Sequence, residues 1–452
     1  FFPQKGPPLF ISSSFYINSM KSKFLTLVAL GLATASQAAT FDVYITGSTA
    51  GRASVHTSIQ NILTGETTSQ DNAALGSANR ANFTGGTFGG NTYNVFCSWS
   101  GSAAGVGSLV NNSNVAFMTQ ISGGVIASPT TFNHAADIAF SDVFQTSTTF
   151  NAVALNDFTT VVLPFKFFTS EGSPITNVTP QLAQYLYIVG SMPLALFTGN
   201  SAHETAGVVA CGRDGGSGTR ITTMAETGVG AFGSLVQYQP TLSFTNAALT
   251  GVSITPDGIT VTHAAVTPAL QVNQPIRGTG IPAGARVATV IDTTHFTLTL
   301  AGSSTGALPD GSLRAGQNVA AHTNVGNGGA SSGGTVAGYV AANTVGLTQD
   351  GRSPCYYVSY LGVSDGATAL TDGAVECQYN GVTYSAANVR NGLYTLWGYL
   401  HLMTRPDANA GAEGFATQLT TTLDGLPGAS GIQLSTMRVS RLADGGNVAN
   451  DY

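Results

Sequence analysis

The stretch "VVACGRDGGSGTRITTMAE" (residues 208–226) decides the fold class. A β-branched run ends at Arg213, glycines 215, 216 and 218 flank Ser217 and Thr219, and the residues that follow suit a helix. A strand that feeds a helix through a Gly-Ser turn is one unit of an α/β protein. The same grammar occurs upstream. "FDVYITGSTAGRASVHTSI" (41–59) and "YNVFCSWSGSAAGVGSLV" (93–110) each run from a strand pattern through Gly-Ser into a helix pattern. "ADIAFSDVF" (136–144) is a strand pattern that ends at Ser141-Asp142. Repeated strand–turn–helix units predict an α/β fold.

Residues 239–324 break this grammar. Polar and apolar residues alternate there between Gly, Pro and Asp turns, as in "GVSITPDGITVTHAAV", and little of the segment suits a helix. It reads as a small all-β module inserted at a loop. The α/β pattern resumes near Gly328, where the Gly-rich run 326–334 is either a linker or another strand-to-helix turn. The chain closes with "NGLYTLWGYLHLMTRP", ended by Pro406, and an amphipathic helix around 410–424.

Composition narrows the setting. The 452 residues hold two or three domains by length. Only 8% are charged against 43% hydrophobic, which suits an exported protein with a hydroxyl-rich surface rather than a cytosolic enzyme. From Met20 the chain reads as a secretory signal, residues 20–38: basic Lys21 and Lys23, an apolar run too short to span a bilayer, and small residues before the cleavage point. Residues 1–19 read as upstream sequence. Without the three lysines of 1–38, and with no acid lost, the net charge moves from −6 to −9. That excludes a basic nucleic-acid face. After signal removal no membrane span is expected. The seven histidines are scattered, without the i, i+4 pairing of a zinc helix, so no metal and no cofactor is expected. Of the four cysteines, Cys355 and Cys377 lie in one β-rich stretch and form the expected disulfide; buried free thiols are the alternative.

The turns carry the chemistry. The first N–H groups of a helix lack internal partners and lie at its positive end, so a hydroxyl there completes an anion site. One such turn is commonly a plain helix cap; three in one chain, the third bearing Arg213, point to an oxyanion. Arg213 offers a planar fork for two oxygens, or a salt bridge to Asp214. Asp142 is either a helix cap or a selectivity device. A carboxylate repels an unprotonated anion, but accepts the proton of a protonated phosphate in a charge-assisted bond that sulfate cannot make.

"ITGSTAG", "WSGSAAGVGSL", "ADIAFSDVF" and "GRDGGSGTR", in this order, resemble the motifs of the phosphate-binding proteins of bacterial phosphate ABC transporters, with "YYVSYLGV" and "NGLYTLWGYLHLMT" similar to their later regions. The resemblance covers about 41–238 and 325–452 and implies a two-lobed type II periplasmic-binding-protein fold with a hinge, carrying here the inserted β module. It implies phosphate ligands at Ser48, Thr49, Ser102, Asp142, Arg213, Ser217, Gly218 and Thr219. Here Gly215 stands where the family has an aspartate two residues before the serine, and the nearby acid is Asp214.

The expected organisation is 1–38 as upstream segment and signal, 39–165 with 363–452 as the first lobe, 166–238 with 325–362 as the second, and 239–324 as the insert. The implied function is capture of inorganic phosphate, in the periplasm or secreted, with an ABC transporter permease as partner and no enzymatic step. Two alternatives come from other classes. One is a surface or structural protein that keeps this fold. The other is a serine hydrolase, because Gly-Gly-Ser-Gly at 215–218 falls one glycine short of a nucleophile elbow.

Overall fold

The structure is a computed structural model and describes residues 38–244, 246–425 and 431–450. The signal expected at 20–38 lies outside these residues except for Ala38. The elements that frame the site are β1 (Thr40–Gly47), α1 (Arg52–Ile62), β2 (Asn91–Trp99), α2 (Ser102–Val110), β3 (Ile138–Ser141), β4 (Asn156–Thr169), β5 (Gly207–Ala210), α3 (Gly218–Glu226), α4 (Gly333–Ala341), β6 (Cys355–Gly362), α5 (Val363–Thr371), β7 (Val375–Tyr379), β8 (Trp397–Thr404) and α6 (Ala410–Gly425).

The protein is α/β, built on a 14-stranded mixed sheet whose central order is β5-β6-β4-β8-β3-β1-β2. β1 runs parallel to β2 and β3, and β5 parallel to β6. Parallel neighbours need crossovers, and α1 and α2 follow β1 and β2 directly. The five C-terminal residues of β1 are all buried, and its Val43 and Ile45 sit in the main core with Val95 and Phe140; continuous β-branched runs of this kind suit a strand covered on both faces.

β4 joins the two ends of the sheet. Eight of its first nine residues pair with β8, from Asn156↔Thr404 to Pro164↔Trp397, with a register shift that leaves out Thr160. Its last five pair with β6, from Phe165↔Gly362 to Thr169↔Val358. The 165/166 boundary expected from sequence therefore falls inside one unbroken strand.

α2 shows how composition sets packing. Its sequence, SAAGVGSLV, is almost wholly buried. Two glycines inside a helix cost roughly 1 kcal/mol each, but a Cβ on Gly105 would lie 2.5 Å from the Gly47 Cα, and one on Gly107 would lie 2.8 Å from the Phe150 ring. The small side chains let α2 lie directly on the β1 turn.

Among its described residues the insert's regular elements are short strands joined by turns. Ala247–Leu249, Leu313–Ala315 and Ile276–Gly278 form one small sheet, and five further short strands form another. Leu249, Ile254, Val261, Val287, Phe296 and Leu313 make a core of its own. The antiparallel ribbon Gln237–Ser243 and Asn318–Gly326 joins it to the rest. Arg277 and Arg314, cross-strand partners in register, point their charges at Glu171 and Asp372, each 2.7 Å away. The run 326–334 is a strand-to-helix turn: Ser332 caps α4 by accepting from Thr335 N–H at 3.1 Å.

The expected Cys355–Cys377 disulfide is corrected. Both thiols are free, as are those of Cys97 and Cys211, and all four are buried. Cys355 packs in one core cluster with Val209 and Tyr357, Cys377 in another with Phe167 and Tyr379. Each has its own carbonyl partner, Arg352 O at 3.2 Å and Ile175 O at 3.7 Å. Burial pushes the Cys377 thiol up to about 12. Among the described residues no helix is long and apolar enough to cross a membrane.

Candidate oxyanion site

The turns singled out in the sequence meet around Asp142. At the end of β1, Gly47 has φ +112°, a left-handed conformation that glycine tolerates. It turns the chain so that Ser48 N–H donates to Phe140 O at 2.7 Å. The Ser48 hydroxyl accepts from Ala50 N–H at 3.1 Å and lies beside the Asp142 carboxylate, whose charged form it favours. At the end of β2, Gly101 has φ +103° and donates to Gly47 O at 2.9 Å, which ties the second turn to the first. Ser102 then opens α2. Its hydroxyl donates to Asp142 Oδ1, and the Asp142 N–H returns to Ser102 Oγ at 3.1 Å.

From the third turn, Thr219 Oγ1–H donates to Asp142 Oδ2 at 3.2 Å, and Thr222 Oγ1–H to the Asp142 carbonyl at 3.1 Å. Ala103 N–H donates to Gly216 O at 3.1 Å, so an N-terminal amide of α2 is already used by the third turn. Gly218 passes so close that a Cβ would stand 2.5 Å from both the Asp142 Cγ and the Ser102 Oγ. Ser217 caps α3 by accepting from Arg220 N–H at 3.3 Å, which leaves its own proton to donate. Asp142 is thus not a helix cap. Its carboxylate accepts from the hydroxyls of Ser102 and Thr219, on two different turns, with the Ser48 hydroxyl beside it.

Ser48, Ser102, Asp142, Ser217, Thr219 and Arg213 are all at most 5% exposed. Burying a carboxylate without solvent favours its protonated form. Burial accordingly raises the Asp142 pKa; its own backbone amide, the Arg213 charge and the Thr219 and Ser48 hydroxyls act the other way.

Arg213 is aimed by the chain beyond the insert. Its Nε donates to Ala330 O at 3.1 Å and its Nη2 to Ser331 O at 2.9 Å, while Tyr360 Oη accepts from its backbone N–H at 3.2 Å. Asp214 is not its ion-pair partner; that carboxylate accepts from Gly216 N–H at 2.9 Å. The charges that reach Arg213 include the acids Asp142 and Asp365 and the like charge of Arg52. Thr49 is separate from the Asp142 cluster. It lines an adjoining cavity of about 210 Å³ with Asn79, Arg80, Ser100, Ser331 and Ser332.

Sequence reading missed several supports. Arg220 is buried and donates to Asn327 O at 2.7 Å and Arg213 O at 3.2 Å. Gln237 reaches the same Arg213 carbonyl at 3.1 Å. Asp365, in the first turn of α5, has its pKa raised by burial and lowered by Arg52 and Arg213. Arg220 flanks the motif and could have been marked; Gln237 and Asp365 carry no local signal. Among the described residues no histidine is hydrogen-bonded to Ser217, whose oxygen accepts from Arg220 N–H.

No protein-family model matches the sequence, and no curated protein matches it. Solved structures are similar at low identity. One is an ABC-type phosphate transport receptor from Vibrio cholerae, at 12% identity and a TM-score of 0.40, over 83% of this chain and 93% of that one. PstS from Borrelia burgdorferi is 11% identical with a TM-score of 0.34, over 85% and 92%. A phosphate-binding protein from Stenotrophomonas maltophilia is 11% identical with a TM-score of 0.34, over 85% and 82%. At these values the likenesses carry no argument about what this chain binds.

Proposed function

We propose that this protein binds inorganic phosphate in the cluster around Asp142. One observation carries the reading: a fully buried carboxylate bonded by the hydroxyls of Ser102 and Thr219, with Ser48, Ser217 and the Arg213 guanidinium beside it. Hydroxyls donate to any oxyanion, and Arg213 supplies the compensating charge. Asp142 accepts, so it favours an oxyanion that still carries a proton. Phosphate near neutral pH has such a proton and sulfate does not.

In this reading 39–165 with 363–452 is one lobe and 166–238 with 325–362 the other, with Ser48, Ser102 and Asp142 on the first and Arg213, Ser217, Gly218 and Thr219 on the second. Closure of the two about a hinge in β4 dehydrates the ligand. The protein is exported, performs no chemistry on its ligand and hands it to an ABC transporter permease. Thr49 and the cavity it lines form the entrance.

A second reading, a structural protein that keeps the fold, is favoured by one observation. Asp142 is already engaged by the protein's own hydroxyls, and Arg213 by the carbonyls of 330 and 331. Calorimetric titration of dialysed protein with inorganic phosphate separates the two. The first requires saturable one-to-one binding, and the second predicts no heat beyond dilution.

A further inference from the structure

The hairpin 439–450 grips both segments that carry the site, at points outside the site itself. Its strands Val439–Ser440 and Ala449–Asn450 pair antiparallel. Arg441, with a wholly buried side chain, donates from Nη1 to Glu226 Oε2 at 2.9 Å and from Nη2 to Thr395 O at 2.7 Å, and lies 4.1 Å over the Trp397 ring. Glu226 is the last residue of α3, whose first residues are Gly218 and Thr219. Gly445, at φ +65°, lets the hairpin backbone press on that last turn; a Cβ there would stand 2.7 Å from the Glu226 N. On the other side Asp444 Oδ2 accepts from Phe144 N–H at 3.0 Å, two residues beyond Asp142. Leu442 is 93% exposed, while Val439 is buried in the main core, Val448 packs against it, and Arg441 and Asp444 add the polar contacts between them.

We infer that this hairpin is a clasp: it sets the position of α3 against the Asp142 segment through Arg441 and Asp444, and it must release α3 before the two halves of the site separate. α3 is a rigid nine-residue rod, so holding its far end fixes where Ser217, Gly218 and Thr219 stand relative to Asp142. Arg441 and Asp444 are positioning residues that touch no ligand. This rests on the two-lobe phosphate reading above, in which α3 and the hairpin belong to different lobes.

The test uses the full chain with Glu226→Gln and, separately, Asp444→Asn. Stopped-flow binding of inorganic phosphate gives association and dissociation rates, and hydrogen exchange without ligand follows 218–226 and 439–450. Loss of one charge-assisted bond is expected to raise the dissociation rate about tenfold. The association rate rises with it, so affinity changes less than either rate. A purely structural role would leave both rates alone while lowering thermal stability. Folded variants with both rates within twofold of wild type would overturn the clasp. If wild-type protein binds no phosphate, the functional reading fails but the clasp is still tested by exchange. Faster exchange at 218–226 together with 439–450 supports it, and faster exchange at 439–450 alone overturns it. Should Glu226→Gln fail to fold, the near-isosteric Asp444→Asn carries the same comparison.

Discussion

Ser102 and Asp142, forty residues apart, exchange two hydrogen bonds: the serine hydroxyl donates to the carboxylate, and the aspartate N–H donates back to the serine oxygen. The pair joins the start of α2 to the end of β3, and Thr219 completes it from α3. A carboxylate held by hydroxyls and its own backbone amide has no fixed counter-charge in hydrogen-bond contact. This makes Asp142 sensitive to the protonation state of the bound anion.

Arg213 supplies charge rather than shape to the core. Replacing it with alanine is expected to weaken phosphate binding by about 30-fold or more, the consequence of removing one member of a buried charge-assisted pair worth about 2 kcal/mol or above. Arg213→Lys restores charge but not the two carbonyl bonds to Ala330 and Ser331, so it recovers binding only in part. Calorimetry on both variants is the check. Phosphate affinity within threefold of wild type for Arg213→Ala would make the arginine structural.

Gly218 has no room for a side chain. Gly218→Ala places a Cβ against the Asp142 carboxyl and the Ser102 hydroxyl. Crowding of this kind costs about 1–3 kcal/mol, and here it displaces the ligand-facing groups themselves. The expected outcome is a lower melting temperature together with loss of phosphate binding. Gly215→Ala, where a Cβ meets open space, is the control and retains both.

The β module carries its own core. Replacing 245–317 by a short Gly-Ser link, with the ribbon strands on either side retained, is expected to leave a folded protein that still binds phosphate. Asp372→Asn should destabilise the intact protein, since Arg314 and Asn246 both rely on that carboxylate. An unfolded deletion product would show that the module completes the main core.

Acid stability isolates His56. Trp99 Nε1–H donates to its Nε2 at 2.8 Å, so the proton sits on Nδ1 and goes to Leu75 O at 2.9 Å. Burial, opposed by that carbonyl and aided by the Arg52 charge, pushes its pKa down to about 4 from 6.5. The unfolded chain then binds the proton first, and stability is lost as pH falls from about 6.5 to about 4, by up to roughly 3 kcal/mol. Asp444 opposes this. Burial pushes it up to about 6 from 3.8, so its cost, present above about pH 6, is relieved over an overlapping range. Urea midpoints between pH 7 and 4 should therefore fall more steeply in Asp444→Asn than in wild type, and should not fall in His56→Gln. Identical slopes in all three would refute the assignment.

The turns were legible because each is local: Gly47-Ser48, Gly101-Ser102 and Gly216-Ser217-Gly218-Thr219 announce a strand end and a helix start within a few residues. The insert was legible by its period-two alternation. What was hidden depends on partners far along the chain. Arg213 finds its carbonyls 117 and 118 residues away across the insert, and Arg441 finds Glu226 at a separation of 215. The cysteines misled because nearness in sequence says nothing about which core a strand residue enters; Cys355 and Cys377 enter different ones. Thr49 follows Ser48 directly, yet it lines the neighbouring cavity rather than the Asp142 cluster.

The most direct test of the central claim is competitive binding of phosphate and sulfate at one pH near neutrality to wild-type protein and Asp142→Asn. The account predicts that wild type prefers phosphate by about 100-fold or more, because sulfate brings no proton to the buried carboxylate and forgoes a charge-assisted hydrogen bond worth roughly 3 kcal/mol. Asp142→Asn should collapse that preference while changing phosphate affinity much less, since an amide can turn its NH₂ towards either anion. An unchanged phosphate-to-sulfate ratio in the variant, or no preference in the wild type, would contradict it.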